Sequence, residues 1–226
     1  MTTYLITGAN RGIGLEFARQ LSRRGTDAVI LGTARDPAGA GELARLVHQV
    51  IPLDVSDEDS IAGLSAAVGD RPIDVLINNA GVGSEQRSIE GLTLAELNRV
   101  FTINAFAPML VVKSLLPNLR AGNRKSVFSI TSQLGSIANN KGGSSYPYRA
   151  SKTALNQLSA SLANELRAEG FCCVVTHPGW VRTDMGGQNA TLGVDESVRS
   201  MLAIIDRLRA EDSGTFFNYD GTTLPW

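Results

Sequence analysis

Short apolar runs alternate with amphipathic stretches along the whole chain, and this alternation predicts both strands and helices. The apolar runs predict strands over residues 4–7, 28–34, 50–54, 73–77, 127–131, 172–176 and 215–218. The amphipathic stretches predict helices over residues 12–24, 41–47, 58–68, 93–119, 147–169 and 194–209. Apolar strands that alternate with helices are typical of a parallel sheet covered by helices on both faces.

The order of these elements predicts an α/β fold, a single-domain Rossmann-type doubly wound parallel sheet. Right-handed crossovers place helices on both faces of such a sheet. Three predicted loops, over residues 85–92, 133–145 and 179–193, follow the carboxyl ends of strands. Ligands bind at that edge of an open α/β sheet, so we expect the functional residues there.

Composition narrows the classes of function. The chain of 226 residues has a formal net charge of -1, which gives no reason to expect nucleic-acid binding. No apolar run has the length of a membrane span, and the first residues show no secretory signal pattern. With two histidines and only the adjacent Cys172 and Cys173, we expect neither a metal site nor a disulfide framework. We expect reduced thiols in a cytoplasmic protein.

A tyrosine and a lysine share one face of a predicted helix. Tyr148 and Lys152 are four residues apart, which places their side chains one above the other. An ammonium beside a phenol lowers the phenol's pKa, so we expect Tyr148 to donate a proton to a carbonyl oxygen near neutral pH. Tyr146 competes for this role, but Ala150 stands four residues after it. Pro147 fits the first helical position, which predicts that Tyr146 lies outside the helix.

A glycine-rich turn joins the first predicted strand to the first predicted helix. It reads Thr-Gly-Ala-Asn-Arg-Gly-Ile-Gly over residues 7–14. Glycines permit a tight turn and the close approach of a pyrophosphate, and a helix N-terminus supplies free N–H groups and a partial positive charge. A flexible turn is the alternative, but the place between a strand and a helix favours a dinucleotide site.

An ordered set of short motifs follows this turn. The motifs are Leu53-Asp54-Val55, Asn78-Asn79-Ala80-Gly81, Asn104, Thr131-Ser132, Tyr148 with Lys152, Pro178-Gly179 and Thr183. With the Gly-x-x-x-Gly-x-Gly spacing of the turn, the set resembles the short-chain dehydrogenase/reductase family along essentially the whole chain. Residues 177–187 and 216–226 narrow the resemblance to the C-factor/sniffer-like branch. That branch includes NADPH-dependent carbonyl reductases and a myxobacterial protein associated with developmental cell-to-cell signalling.

The resemblance implies an oxidoreductase that transfers a hydride between a nicotinamide and a carbonyl or alcohol. Tyr148 is then the general acid/base, and Lys152 lowers its pKa and holds the nicotinamide ribose. Asn104 supports a water in a proton relay, and Ser132 hydrogen-bonds the substrate oxygen. The implied cofactor contacts are Gly8, Asn10, Arg11, Gly12, Ile13, Gly14, Arg35, Asp54, Val55, Asn78, Asn79, Ala80, Gly81, Tyr148, Lys152, Pro178, Gly179, Val181 and Thr183.

Two alternatives concern the serine. Thr131 and Ser129 are neighbouring hydroxyl groups that compete with Ser132 at the end of the same predicted strand. A Ser–His–Asp hydrolase would use Ser132 and His177, but the chain lacks the Gly-x-Ser-x-Gly motif that such a reading needs.

The end of the second predicted strand bears on the choice of cofactor. An NAD site places an acid about 20 residues after the glycines, but that count from Gly14 reaches Ala34, with Arg35 next and Asp36 after it. Arg35 and Arg11 would suit a 2′-phosphate through charge-assisted hydrogen bonds, unless both are solvated surface residues. We therefore expect NADP(H) as the preferred cofactor, with NAD(H) possible.

The loops predict an open substrate pocket. The segment after Thr183 is shorter than the helical lid of larger reductases, which implies broad specificity for ketones, aldehydes or quinones. Ordinary loop packing explains the apolar side chains of these loops equally well. Residues 139–145 are polar and glycine-rich, so we expect them to be mobile and to order over a bound substrate. The candidate pocket walls are Gln133, Leu134, Tyr146, Trp180 and Met185.

The resemblance also implies a division of labour and an assembly. Residues 1–130 would mainly bind the cofactor, and residues 131–226 would mainly carry catalysis and substrate binding. A homodimer or homotetramer would form through the predicted helices over residues 93–119 and 147–169. Packing on the sheet explains the apolar stripe of the second helix equally well. That stripe consists of Ala150, Ala154, Leu155, Leu158 and Leu162.

Two other functions compete with the reductase. A regulatory or signalling protein would bind NAD(P) while its turnover is secondary. An isomerase or dehydratase of the extended branch is disfavoured, because those chains are usually longer and carry a C-terminal substrate domain.

Overall fold

One seven-stranded sheet forms the centre of the molecule. The computed structural model describes residues 1–226. The strands lie in the spatial order β3-β2-β1-β4-β5-β6-β7, and every neighbouring pair is parallel. The strands are β1 (Thr2–Ile6), β2 (Ala28–Ala34), β3 (Gln49–Pro52), β4 (Val75–Asn78), β5 (Ser126–Ile130), β6 (Cys172–His177) and β7 (Phe216–Asn218). This is the predicted doubly wound fold, and the strand order reverses between β1 and β4.

Eight α-helices cover the two faces of the sheet. They are α1 (Gly12–Ser22), α2 (Gly41–Ala44), α3 (Glu58–Ala62), α4 (Leu64–Val68), α5 (Leu94–Phe101), α6 (Ala107–Ala121), α7 (Tyr146–Glu165) and α8 (Val194–Arg207). One core cluster joins the sheet to α1 and α8, and contains Phe17, Met201 and Ile205. A second cluster joins the other face to α3, α4 and α6, and contains Val111 and Leu115. Burial of each such side chain contributes about 1.5–3 kcal/mol.

Two predicted helices are each interrupted. The helix predicted over residues 93–119 divides into α5 and α6, because a π-helical turn, Thr102–Phe106, lies between them. Thr93 caps α5, since its hydroxyl accepts a hydrogen bond from the Glu96 N–H at 3.2 Å. The helix predicted over residues 58–68 divides into α3 and α4 at Gly63.

The start of α7 corrects one sequence prediction. Tyr146 is the first residue of this helix and Pro147 is the second. The prediction that Tyr146 lies outside the helix is therefore wrong. The Arg149 N–H donates to the Ser145 carbonyl at 3.0 Å, so the first helical turn already contains Tyr146. Ser144 and Ser145, just before it, both have left-handed backbone conformations, with φ of 60° and 52°.

The α5–α6 region is the one helical stretch apolar and long enough to cross a membrane. Residues 94–121 form 28 consecutive helical residues with a mean hydropathy of 1.5 in their most apolar window, of which 44% is buried. Val111, Leu115 and Leu119 of this stretch belong to the core cluster below the sheet. We therefore interpret it as a core helix of the fold.

Candidate active site

The glycine turn between β1 and α1 is built for close main-chain approach. Gly8 and Gly12 have positive φ angles of 62° and 53°, which favour glycine. Gly14 has no room for a side chain, since a Cβ there would lie 2.3 Å from the Gly8 carbonyl oxygen. Helix α1 begins at Gly12 without an acidic residue in its first turn and without a side-chain cap from Arg11. Its free N–H groups and partial positive charge suit a phosphate group.

The end of β4 is tied to this turn by hydrogen bonds. The Asn79 Nδ2 donates to the carbonyls of Thr7 and Gly8, at 2.9 and 3.0 Å. The Thr7 hydroxyl accepts from the N–H groups of Asn79 and Ala80, both at 3.0 Å. Asn78 points to the neighbouring strand, where its Nδ2 lies 3.4 Å from the Ser129 hydroxyl. Thus the amide of Asn79 shapes the cleft, and the N–H groups of α1 remain open to a ligand.

The second and third strands place two carboxylates at the same edge of the sheet. Asp54 accepts hydrogen bonds from the Ser56 N–H and hydroxyl, at 2.9 and 2.6 Å, which lowers the pKa of its carboxyl. Asp36 folds back into its own turn, where it accepts from the Ala38 N–H at 3.1 Å. Arg35 is exposed beside it. The Arg35 guanidinium is therefore exposed at the end of β2, whereas the carboxylate of Asp36 is turned into its own loop.

The loop after β6 closes the other side of the cleft. Gly179 has a φ of 86°, and Val181 forms an isolated bridge with Leu192. Thr183 faces the glycine turn, because a Cβ on Gly12 would lie 3.6 Å from the Thr183 Cγ2. This loop therefore brings Thr183 to the glycine turn.

The remaining expected cofactor contacts lie around the same cleft. Asn10 is exposed, and Ile13 and Val55 are half-buried against the two core clusters. The carbonyl of Pro178 accepts a hydrogen bond from the Ser197 hydroxyl of α8 at 2.5 Å. Arg11 is exposed and lies 3.4 Å from the Asp184 carboxylate across the cleft.

The π-helical turn presents Asn104 to the loop after β4. Asn104 is fully buried. Its Oδ1 accepts from the Val82 N–H at 2.8 Å, and its Nδ2 donates to the Val82 carbonyl at 2.9 Å. The same Nδ2 lies 3.1 Å from the hydroxyl of Ser151, which in turn donates to the Tyr148 carbonyl at 2.8 Å. Asn104 therefore joins the β4 loop to α7. The sequence analysis missed Ser151, although it stands three residues after Tyr148 on the helix that carries the tyrosine.

Helix α7 and the end of β5 bring the other three expected catalytic residues together. The Ser132 hydroxyl stands beside the Tyr148 phenol, and its interaction with the phenol favours the ionised form. The Lys152 Nζ lies 5.9 Å from the centre of the Tyr148 ring and donates to the Ile130 carbonyl at 2.9 Å. A Cβ on Gly81 would lie 3.3 Å from the Asn104 Oδ1 and 3.7 Å from the Lys152 Nζ. All four expected catalytic side chains thus meet at the ligand edge of the sheet.

The pKa of the tyrosine differs from the sequence prediction. We expected the lysine to lower the pKa of Tyr148, and this is wrong in the structure. Burial raises the pKa of Tyr148, and the hydrogen bond from Ser132 acts in the opposite, weaker direction. Burial also lowers the pKa of Lys152 to about 8. The lysine ammonium stands over the ring face and donates to a main-chain carbonyl.

The competing hydroxyl groups have other partners. The Thr131 hydroxyl donates to the Asn156 Oδ1 at 2.7 Å, and the Ser129 hydroxyl accepts from Asn78. His177 forms no hydrogen bond with Ser132, and its buried Nδ1 has no partner. Burial lowers the pKa of His177 to about 4. The geometry therefore gives no serine–histidine pair.

Three of the expected substrate walls lie after β5 and at the start of α7. Gln133 and Leu134 follow Ser132 directly in a short 3₁₀ turn. Tyr146 lines an open cavity of about 380 Å³. The other residues lining that cavity are Arg87, Ser88, Ile89, Glu90 and Ser144.

The loop after β6 contributes the other two expected walls. Trp180 and Met185 are about half exposed, at 52% and 55%. The Trp180 indole N–H donates to the Gly186 carbonyl at 2.8 Å, which fixes the ring against its own loop. Met185 faces the loop after β4, because a Cβ on Gly83 would lie 3.7 Å from the Met185 Cγ.

An ion pair holds the loop that follows β4. Glu96 accepts from the Ser84 hydroxyl at 2.9 Å and from Arg99 at 2.8 Å, and its pKa falls to about 2, chiefly because of Arg99. The Arg99 guanidinium also donates to the Gly83 carbonyl at 3.1 Å. Glu96 stands in the first turn of α5, where a carboxylate can reach back to the main chain of the N-cap. Its side chain turns instead to the loop.

Comparison with known proteins identifies the family. The sequence pattern described as short chain dehydrogenase matches residues 2–191. The C-signal protein of Myxococcus xanthus is 50% identical over 155 residues, which cover 69% of this chain and 93% of that protein. The carbonyl reductase Sniffer of D. melanogaster superposes with a TM-score of 0.94 at 34% identity, over all of both chains.

A second solved structure agrees with the first. The NADPH-bound carbonyl reductase from chicken fatty liver superposes with a TM-score of 0.94 at 36% identity, over 100% of this chain and 99% of that one. The family match over residues 2–191 covers the glycine turn and the Ser132–Tyr148 pair alike. This chain therefore belongs to the short-chain dehydrogenase family.

Proposed function

We propose that this protein is an NADP(H)-dependent oxidoreductase that reduces a ketone, aldehyde or quinone and oxidises the corresponding alcohol. The observation that carries the proposal is the placement of the Ser132 hydroxyl beside the Tyr148 phenol, next to the buried Lys152 and Asn104. These groups stand at the ligand edge of the sheet, facing the glycine turn. Similarity to two carbonyl reductases supports the same reaction.

The side chains divide the work on the substrate oxygen. A bound nicotinamide supplies or accepts the hydride at the substrate carbon. Tyr148 gives its phenolic proton to the carbonyl oxygen, and its raised pKa keeps the phenol protonated at neutral pH. The Ser132 hydroxyl hydrogen-bonds the same oxygen and stabilises the negative charge that develops there. Lys152 and Asn104 lie behind the tyrosine, on the path by which its proton is replaced.

The preference for NADP(H) over NAD(H) rests on the end of β2. One oxygen of the Asp36 carboxylate accepts from Ala38 and the other lies beside Gly39, so the carboxylate is directed into its own turn. Arg35 is exposed at the same place, and Arg11 lies in the glycine turn. Both guanidinium groups suit a 2′-phosphate. The chicken carbonyl reductase, which this chain resembles, was solved with NADPH.

The two parts of the chain take different tasks in this proposal. Residues 1–130 mainly hold the cofactor, through the glycine turn, the Asn78–Gly81 segment and the ends of β2 and β3. Residues 131–226 mainly carry the proton transfer and the substrate walls. The open loops at the walls suit a broad range of carbonyl substrates.

A homodimer or homotetramer and a cytoplasmic location complete the proposal. Phe106 is 49% exposed beside α6, and Ala150 is exposed on α7, so both long helices keep apolar surface for a partner. Of the predicted stripe, Leu155 is buried instead, and Leu162 packs against the second core cluster. The two cysteines are free and buried, which fits a reducing compartment.

A signalling role is the second candidate. It is favoured by the 50% identity to the protein named C-signal. In that case the protein would bind NADP(H), and its partner rather than its turnover would matter. The four expected catalytic side chains lie together, which argues for turnover. Both roles are nevertheless compatible with one fold.

A turnover assay separates these functions. NADPH oxidation is followed against a panel of ketones, aldehydes and quinones, with NADH and the Tyr148→Phe variant in parallel. We expect turnover that falls about 1,000-fold in the variant while NADPH binding stays within about twofold. Full turnover by Tyr148→Phe would refute the acid assignment. NADPH binding without turnover on any carbonyl would favour the signalling role.

A further inference from the structure

The buried side-chain amide of Asn156, on α7, hydrogen-bonds to residues on both sides of Ser132. Asn156 lies one turn after Lys152 and is 3% exposed. Its Oδ1 accepts from the Thr131 hydroxyl at 2.7 Å, and its Nδ2 donates to the Gly135 carbonyl at 3.3 Å. Thr131 directly precedes Ser132, and Gly135 closes the turn that follows it. One side chain therefore holds the serine from both sides.

The turn and the helix are packed too closely for either to move alone. A Cβ on Gly135 would lie 2.9 Å from the main-chain carbon of Lys152 and 3.1 Å from the Asn156 Nδ2. The Thr153 hydroxyl adds a second donor to the Gly135 carbonyl, at 2.9 Å. Within the turn, the Gly135 N–H donates to the Ser132 carbonyl at 2.8 Å. The serine thus sits on a rigid unit of turn and helix.

The buried hydroxyl of Ser159 shows that the hydrogen bonds of Asn156 are not a general feature of this helix face. Ser159 lies one turn further along α7 and is 4% exposed, but its hydroxyl has no partner. Burial on this helix face therefore does not by itself produce a hydrogen-bonded contact. At Asn156 both the donor and the acceptor function are used, and such satisfied buried groups fix geometry.

We infer that Asn156 is a positioning residue, which with Thr131 holds the Ser132 turn on α7 so that the serine hydroxyl stays aligned with Tyr148. The inference rests on the proposed function, because it assigns a role within that reaction. Rates are sensitive to such alignment, since a misplacement of about 1 Å costs on the order of 100-fold.

Four variants test the inference by kinetics. Asn156→Ala and Thr131→Val remove the two ends of the hydrogen bond, and we expect kcat to fall by about 10- to 100-fold. The affinity for NADPH should stay within about twofold, because the glycine turn is untouched. Thr131→Ser keeps the hydroxyl and should retain most of the rate. Ser159→Ala is the matched control on the same helix face and should leave kcat unchanged.

The pH profile separates positioning from a merely structural role. The hydrogen bond from Ser132 lowers the pKa of Tyr148, so loosening the serine should raise that pKa. Carbonyl reduction needs the protonated phenol, so the alkaline limb of kcat should move to higher pH in Asn156→Ala. A structural role alone would lower the thermal midpoint and leave this limb in place. An alkaline limb that stays in place in Asn156→Ala overturns the inference, whatever the value of kcat.

Hydrogen exchange of the cofactor-free protein gives a readout that does not depend on turnover. The N–H groups of Leu134 and Gly135 bond to Ser132, at 3.1 and 2.8 Å. We expect them to exchange at least about tenfold faster in Asn156→Ala and at the wild-type rate in Ser159→Ala. Unchanged exchange in Asn156→Ala overturns the positioning role. If wild type shows no turnover, the proposed function fails, and exchange still decides whether Asn156 holds the turn.

Discussion

The two sides of the candidate site are held by different means. At the glycine turn the main chain lines the cleft, and its close packing needs the absence of side chains, since a Cβ on Gly14 would lie 2.3 Å from the Gly8 carbonyl oxygen. At the catalytic edge the contacts run between side chains far apart in sequence, such as Asn104 with Ser151, 47 residues away. The geometry of the glycine turn depends on positions with no side chain, and that of the catalytic edge depends on a network of hydrogen-bonded side chains. The two sides should therefore fail differently when they are disturbed.

The largest effect is expected at the glycine turn. Gly14→Ala puts a methyl group 2.3 Å from the Gly8 carbonyl oxygen, so the turn must open. We expect NADPH to bind about 100-fold more weakly, a loss of roughly 3 kcal/mol. Gly41→Ala is the matched control, since a Cβ there meets no atom within 4 Å. Isothermal titration of both variants with NADPH measures the difference, and equal affinities would contradict the steric account.

The next effect is expected at Asn104. Asn104→Ala leaves the N–H and carbonyl of Val82 without their partners, so we expect about 2–3 kcal/mol lower stability. The rate should also fall, by about tenfold, because the β4 loop loses its tie to α7. Ser114→Ala is a suitable control, as the Ser114 hydroxyl is buried without a partner. Urea unfolding and kcat are the two measurements, and a stable variant with a normal rate would show that the network is dispensable.

A smaller effect concerns pH. Burial lowers the pKa of His177 to about 4, below its ordinary value of about 6.5. The unfolded chain binds a proton as pH falls through 6.5, whereas the folded chain does not until about pH 4. The associated stability is thus present above pH 6.5 and is lost as pH falls towards 4.

The lowered pKa of His177 should make the stability of the wild type depend more strongly on pH than that of the His177→Gln variant. From pH 7 to pH 5 the wild type should lose about 2 kcal/mol that His177→Gln does not lose. Urea unfolding of both proteins at the two pH values measures it. Parallel pH dependence of the two proteins would mean that the imidazole is not the group responsible.

The smallest effect is expected away from both sides, at the start of α5. Thr93→Ala removes the hydroxyl that accepts from the Glu96 N–H, and should cost about 1 kcal/mol. The turnover number should not change, because the loop contacts of Glu96 and Arg99 remain. Thermal unfolding and kcat together check this, and a large fall in kcat would mean that the cap positions the loop as well.

The features that could be predicted from the sequence are those set by residues close together in the chain. The alternation of strands and helices and the glycine turn follow from local patterns, such as the apolar run at Ala28–Ala34, whose predicted and observed bounds agree. The spacing of Tyr148 and Lys152 correctly placed both on one helix. Local pattern is sufficient wherever the physical cause lies within a few residues.

The rest depends on contacts distant in sequence. The start of α7 depends on the left-handed backbone of Ser145, which no propensity of Tyr146 or Pro147 signals. The pKa of Tyr148 depends on how deeply the fold buries it, and the sequence shows only the neighbouring charge. The partner of Glu96 is the loop around Ser84, which pairs with it only after β4 and α5 have been assembled.

The π-helical turn at Thr102–Phe106 behaves as an insertion within a helix. Each residue advances a helix by about 100°, so the turn rotates the face of α6 relative to that of α5. Deleting one residue from this turn would keep the segment helical but would rotate α6 by about 100° relative to α5. Either Asn104 would turn away from Val82, or Val111 and Leu115 would turn away from the sheet. The length of this segment is therefore as constrained as its sequence, and a helical wheel drawn across residues 94–121 would misassign the faces of one half.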